Sequence, residues 1–156
     1  MKRIITAFTS LVLATFLLVS CEKEENKIFF EGGTQPVLTA STAAVNLLPP
    51  PADESAEAIK FNWTNPEFRF TTGISSQDVN YKLEFDTVGA NFTSKSKYLA
   101  TIARDLSKRF TVAELNAVLG NSMLLPFGRK YNLEARITST IGASTVALTS
   151  NKVAFT

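Results

Sequence analysis

An all-β sandwich of about seven short strands with one short helix is the fold this 156-residue sequence predicts, and three observations predict it. Strict alternation of apolar and polar residues recurs in three separated stretches, as expected of strands with one buried face. Gly, Pro and Asn residues stand between these stretches, where turns would fall. One segment alone combines helical spacing with a helix-start signature.

The folded part is expected to open at about Pro36. Val37-Leu38-Thr39-Ala40-Ser41 and Ala44-Val45-Asn46-Leu47-Leu48 read as two short strand pieces. Pro49-Pro50-Pro51 follows and blocks both helix and ladder, because proline donates no hydrogen bond. Asp53 to Glu57 is a polar turn. Ile59, Phe61 and Trp63 then alternate with Lys60, Asn62 and Thr64, until Asn65-Pro66 stops the strand. A loop holds Phe68, Phe70 and Gly73. Alternation resumes with Val79, Tyr81, Leu83 and Phe85 against Asn80, Lys82, Glu84 and Asp86, and Val88-Gly89-Ala90-Asn91 turns the chain. Shorter strands are expected through Ser96 to Thr101 and Lys108 to Phe110.

Thr111-Val112-Ala113-Glu114 is a capping box: the Thr111 oxygen can accept from the Glu114 amide while the Glu114 carboxylate reaches back. Val112, Leu115, Val118 and Leu119 share one helical face, and Gly120 is placed to end the helix. After Leu124, Leu125, Phe127 and Gly128, a strand is expected in which Tyr131, Leu133, Ala135 and Ile137 alternate with Asn132, Glu134, Arg136 and Thr138. Gly142 turns the chain into a last strand, Val146 to Phe155, with a bulge expected at Ser150-Asn151. Full burial of each large apolar side chain on these faces stabilises by about 1.5–3 kcal/mol, enough for one core.

The N-terminal part is organised differently. Lys2-Arg3 precedes a mostly apolar run from Ile4 to Val19, shorter and more interrupted than a membrane span of about 20 residues. A positive end before a greasy segment is the layout of an export signal. The run ends at the single cysteine of the chain, in Leu18-Val19-Ser20-Cys21, which resembles a bacterial lipobox. The resemblance implies cleavage before Cys21 and lipidation of its thiol with diacylglycerol and further acyl (palmitate-type) chains. The competing reading, a free thiol inside a transmembrane helix, is weakened by Glu22-Lys23-Glu24-Glu25 directly after it. That acidic cluster also resembles the export tag of surface lipoproteins of Bacteroidetes, and it equally suits a solvated linker. The expected organisation is a signal peptide over 1–20, a flexible lipidated tether over 21–35 and one sandwich domain over 36–156. Ile28-Phe29-Phe30 sits oddly in a tether and could dock on the domain.

The composition removes several classes of function. Loss of Lys2 and Arg3 with the signal leaves 14 basic against 14 acidic residues, so the electrostatic attraction that nucleic acid demands has no support. The chain has no histidine and no cysteine beyond Cys21. Ser-His-Asp and Cys-His centres, zinc sites of the usual ligand set and an intrachain disulfide are therefore excluded. No metal and no cofactor is expected.

Trp63 on the second strand, Tyr81 on the third and Tyr131 on the sixth resemble an immunoglobulin or fibronectin type III sandwich. More closely, the chain is similar to the N-terminal domain of SusE-type lipoproteins. The likeness lies in Phe61-Asn62-Trp63-Thr64, in Tyr81-Lys82-Leu83-Glu84-Phe85-Asp86 with Asn91-Phe92, in Phe110-Thr111-Val112-Ala113-Glu114-Leu115-Asn116, and in Tyr131-Asn132-Leu133-Glu134-Ala135-Arg136. The resemblance implies a lipid-anchored outer-membrane protein facing the cell surface. It would be an accessory of a starch or glycan uptake system, beside a TonB-dependent transporter and its SusD-like partner. In longer members the N-terminal sandwich is a spacer and later domains bind the polysaccharide, so no glycan-binding residue carries over.

Candidate chemistry is sparse. Glu84 and Glu134 are expected on the outer faces of neighbouring strands, where a carboxylate pair can serve glycoside hydrolysis. A solvated sheet face with Lys82 and Arg136 as cross-strand partners is the favoured reading, since nothing in the sequence builds a cleft. Ser94-Lys95-Ser96-Lys97 contains the Ser-x-x-Lys spacing of some acyl-transfer enzymes, but lies in a polar turn rather than at a helix start. Phe68, Phe70, Phe92 and Tyr98 lie in or beside loops, where aromatic faces could stack on sugar rings; their competing role is to plug the ends of the sandwich. Asp86-Thr87-Val88 resembles an O-glycosylation motif of Bacteroidetes, with Thr87 as acceptor, and equally an ordinary turn. The expected function is a non-enzymatic surface lipoprotein that spaces or scaffolds a glycan-uptake complex. Direct glycan binding through the loop aromatics, or an adhesion or assembly role, are the alternatives.

Overall fold

The computed structural model describes residues 27–47, 53–142 and 146–156. Two sheets face each other across one core. The first has the order β2 (Leu38–Ala40), β3 (Glu57–Trp63), β8 (Ser107–Thr111). The second runs β7 (Tyr98–Ala103), β6 (Val79–Thr87), β9 (Leu133–Ile141), with β10 (Ala147–Thr149) and β11 (Val153–Phe155) on the far side of β9. All these strand pairs are antiparallel. The all-β sandwich expected from the alternation is thus the fold observed.

The alternating residues build the interior as period two requires. Ile59, Phe61 and Trp63 from one sheet meet Tyr81, Leu83, Phe85, Leu133, Ala135 and Ile137 from the other. Phe61 lies 5.1 Å from Phe85 and 5.5 Å from Phe155, ring centre to ring centre, and Trp63 lies 5.6 Å from Tyr81. The last strand is interrupted as expected. Ser150 keeps the ladder by donating its N–H to the Ile137 carbonyl (2.9 Å) and accepting the Ile137 N–H on its hydroxyl (3.0 Å). Asn151 then bridges to the other sheet, accepting from Leu38 N–H (2.8 Å) and donating to Leu38 C=O (3.0 Å).

The helix α1 (Val112–Ala117) starts at the capping box, with both reciprocal bonds present between Thr111 and Glu114. Gly120 does not end it, contrary to expectation. The chain continues through a wide turn over Val118–Ser122, in which Met123 N–H reaches Val118 C=O (2.9 Å). Gly120 serves packing instead: the Phe127 ring lies 2.6 Å from where a Cβ would stand. Tyr131 precedes β9 and donates its hydroxyl to Pro126 C=O (2.9 Å), which ties the approach to the strand back on itself.

Two further expectations change. The piece Ala44–Leu48 is not a regular strand over 44–47; Val45 N–H bonds to Thr156 C=O and Thr156 N–H to Ala43 C=O (2.7 and 2.9 Å). The tether expected through Gln35 is attached near its end. β1 (Phe30–Gly32) pairs with β4 (Arg69–Phe70), which pairs with β5 (Gly73–Ile74), making a third small sheet in the loop after β3. Phe30 enters it because Phe68 and Phe70 offer apolar rings at 5.9 and 5.5 Å.

The sandwich therefore has two distinguishable poles. At the first, where β6 begins and β9 finishes, sits the small sheet. At the second, where β6 finishes and β9 begins, sit α1, the loop 88–97 and the β11 end.

Candidate functional site

Charged side chains gather on the outer face of β6 and β9, where register sets Glu84 opposite Arg136 and Asp86 opposite Glu134. The expected solvated face is not what forms. Loop 88–97 folds over it, and Glu84, Asp86 and Glu134 are all buried. Glu84 accepts from Lys97 Nζ at 2.7 Å and from Arg136 Nε at 2.8 Å; Lys82 is not its partner. Asp86 accepts the backbone N–H of Thr87 (2.8 Å) and of Ser94 (3.2 Å), which pins the loop to the strand. Lys152 reaches Glu134 at 3.2 Å.

Burial pushes the Glu84 carboxyl up, but the hydrogen bonds and charges of Arg136 and Lys97 outweigh it and hold Glu84 below the ordinary range. Asp86 is balanced the same way: burial raises it, and the Ser94 and Thr87 bonds together with Lys97 bring it below. Both are therefore ionised anions locked in place. A glycosidase acid needs a carboxyl raised toward neutrality, the opposite condition. Lys97, the lysine of the Ser-x-x-Lys spacing, also donates to Phe92 C=O (2.8 Å), so it closes the loop rather than activating a serine.

The four aromatic candidates fall apart into different roles. Phe92 is 2 % exposed, its ring lying under Arg136 (4.1 Å to Cζ) and Lys152 (5.3 Å to Nζ). Phe68 is 1 % exposed, against Phe30. Neither offers a face to a sugar, because each ring is covered by protein. Phe70 is half-buried on Phe30, and Tyr98 is half-buried on Phe85 (5.0 Å) and Phe110 (5.9 Å). Phe92 thus packs on the outer face of β6 and β9, Phe68 and Phe70 in the small sheet, and Tyr98 against the core. Thr87 is half-buried at the finish of β6, directly before the turn. Cys21 lies outside the described residues.

The feature the sequence reading missed is a groove of about 550 Å³ at the second pole, bordered by Leu47, Glu54, Asn116, Phe127, Arg129 and Tyr131. Phe127 is 75 % exposed there. The sequence presents it only as a lead-in to the next strand; Gly120, seven residues before it, is the signal that a ring needs room. Among the described residues no group of three or more His, Cys, Asp or Glu could hold a metal, and no helix is long and apolar enough to cross a membrane.

The fold and the internally paired charges define a β-sandwich module whose polar clusters fasten loops to sheets. The chain belongs to the SusE outer membrane protein family, whose model matches residues 22–138. Membership makes it an outer-membrane protein of a Sus-type surface system. No curated protein matches the chain.

Proposed function

We propose that this chain is a lipid-anchored, non-enzymatic accessory module at the cell surface, spacing or scaffolding a starch or glycan uptake complex. The observation that carries the reading is the family match, which starts at Glu22, directly after Cys21. The locked carboxylates Glu84, Asp86 and Glu134 support a structural rather than a chemical task for the most charged face. The partners under this reading are the outer membrane, through lipid on Cys21, and a TonB-dependent transporter with its SusD-like companion. Metabolic palmitate labelling tests the anchor: the label is expected on the wild type and absent from Cys21→Ser. Co-purification with the transporter pair from detergent-solubilised outer membranes tests the scaffold role; recovery of the protein free of both rejects it. Thr87 is proposed as an O-glycan acceptor, checked by a loss of apparent mass in Thr87→Ala.

Direct glycan binding is the second reading, and the exposed Phe127 ring beside Asn116, Glu54 and Arg129 favours it. An aromatic face with amide and charged groups nearby suits a sugar ring. Affinity electrophoresis in starch-containing gels separates the two readings. Retardation abolished by Phe127→Ala supports binding; unaltered mobility across starch and other polysaccharides supports the spacer.

A further inference from the structure

We propose that the first pole of the sandwich rests on the lipid surface that holds the acyl chains of Cys21, so that the domain sits on its membrane rather than swinging free above it. The inference rests on the lipidation proposed above. Large apolar residues are exposed at both poles, and the reach of the anchor selects this one. Ile28 is 62 % exposed, Phe29 60 % and Ile74 59 %, with Val37 and Leu106 also exposed. Pairing explains why they point outward. Phe30 and Phe70 form one row of the small sheet and turn onto Phe68, so alternation turns Phe29 and, on the neighbouring strands, Arg69 and Ile74 the other way. Phe29 is held there by its backbone, accepting from Thr71 N–H (3.0 Å) and donating to the Thr71 hydroxyl (3.2 Å).

The length of the leading segment says what covers this surface. Six residue steps separate Cys21 from Lys27, and fully extended they reach at most about 22 Å. Lys27 is thus kept within that distance of the anchor, and the pole that carries Phe29, two residues on, is the end of the sandwich tied closest to it along the chain. Confinement raises the effective concentration of lipid, so a weak apolar contact is enough. Charges here are of both signs, Lys27 and Arg69 against Glu31 and Glu67, so the contact draws on buried apolar area and zwitterionic lipid suffices.

The experiment uses the acylated protein reconstituted in phosphatidylcholine vesicles whose acyl chains are brominated, which quench tryptophan on contact. Phe29→Trp, at an exposed position, and Phe127→Trp, at the other pole, are compared with the wild type, whose Trp63 is buried and supplies the baseline. Expected is a loss of emission in Phe29→Trp well beyond the wild type, with Phe127→Trp unquenched. Equal emission from both variants, on protein that floats with the vesicles, overturns the proposal and leaves the anchor standing. Protein that fails to float overturns the lipidation reading and the proposal with it.

Discussion

Glu84 shows how one side chain can decide what a face of the protein does. It is buried, yet two cations meet its two oxygens, so it fastens β6, β9 and the loop 88–97 at a single point. Removing one partner of such a pair leaves the others unmatched, which costs about 3 kcal/mol. Glu84→Gln is expected to lose about that much in urea unfolding, with Lys97→Met losing less because its end is part-exposed. The sequence alone placed Glu84 and Arg136 as cross-strand neighbours, and they are. It could not place Lys97, because period two says which way a side chain points but not whether a loop will fold back over it. For the same reason the sequence shows Phe92 as a loop aromatic: its burial depends on Arg136 arriving from β9 and Lys152 from the link between β10 and β11.

At the scale of elements, local chemistry was the most legible. The capping box forms as its four residues dictate, and Thr111→Ala is expected to cost about 1 kcal/mol. Three long alternating strands occur where the pattern put them, since one buried face fixes register. The helix end was misjudged because glycine carries two meanings, a left-handed cap and a space for a neighbour, and at Gly120 the second applies. Gly33 is a second case. A Cβ there would meet Pro66 O at 2.9 Å and the side chains of Leu148 and Phe68 at 3.0 Å. Backbone cannot yield as a ring can, so Gly33→Ala should unseat β1 at a cost of about 1–3 kcal/mol. Faster amide exchange at Thr34, whose N–H bonds to Pro66 C=O, with exchange in β6 unchanged, would be the measured sign. β1 itself escaped the sequence reading because three residues are too few for a period and their partner strand is just as short.

For the molecule as a whole, acid is the condition that tests the charged face. Glu84 and Asp86 are held below their ordinary values of about 4.5 and 3.8 in the folded protein. A carboxyl depressed on folding contributes stability that is complete above its unfolded value and is lost as pH falls through the folded one. Stability is therefore expected to be level from neutral pH to about 5 and to drop steadily below it, with a shallower drop in Glu84→Gln. Denaturant midpoints measured across that range check both the onset and the slope. The sandwich and its single core could be read from the sequence because alternation and composition act over the whole chain. The groove beside Phe127 could not, being made where α1, the turn after it and the approach to β9 converge.

The short bonding of Ala43 and Val45 to Thr156 has a mechanical consequence. The segment that follows β2 and the residue that follows β11 lie side by side and point the same way where these bonds form. A pull applied between Lys27 and Thr156 would load the two bonds together, in shear, instead of opening them one at a time like a zip. In shear both bonds must give way at once, so the pair withstands an axial pull better than it would withstand peeling.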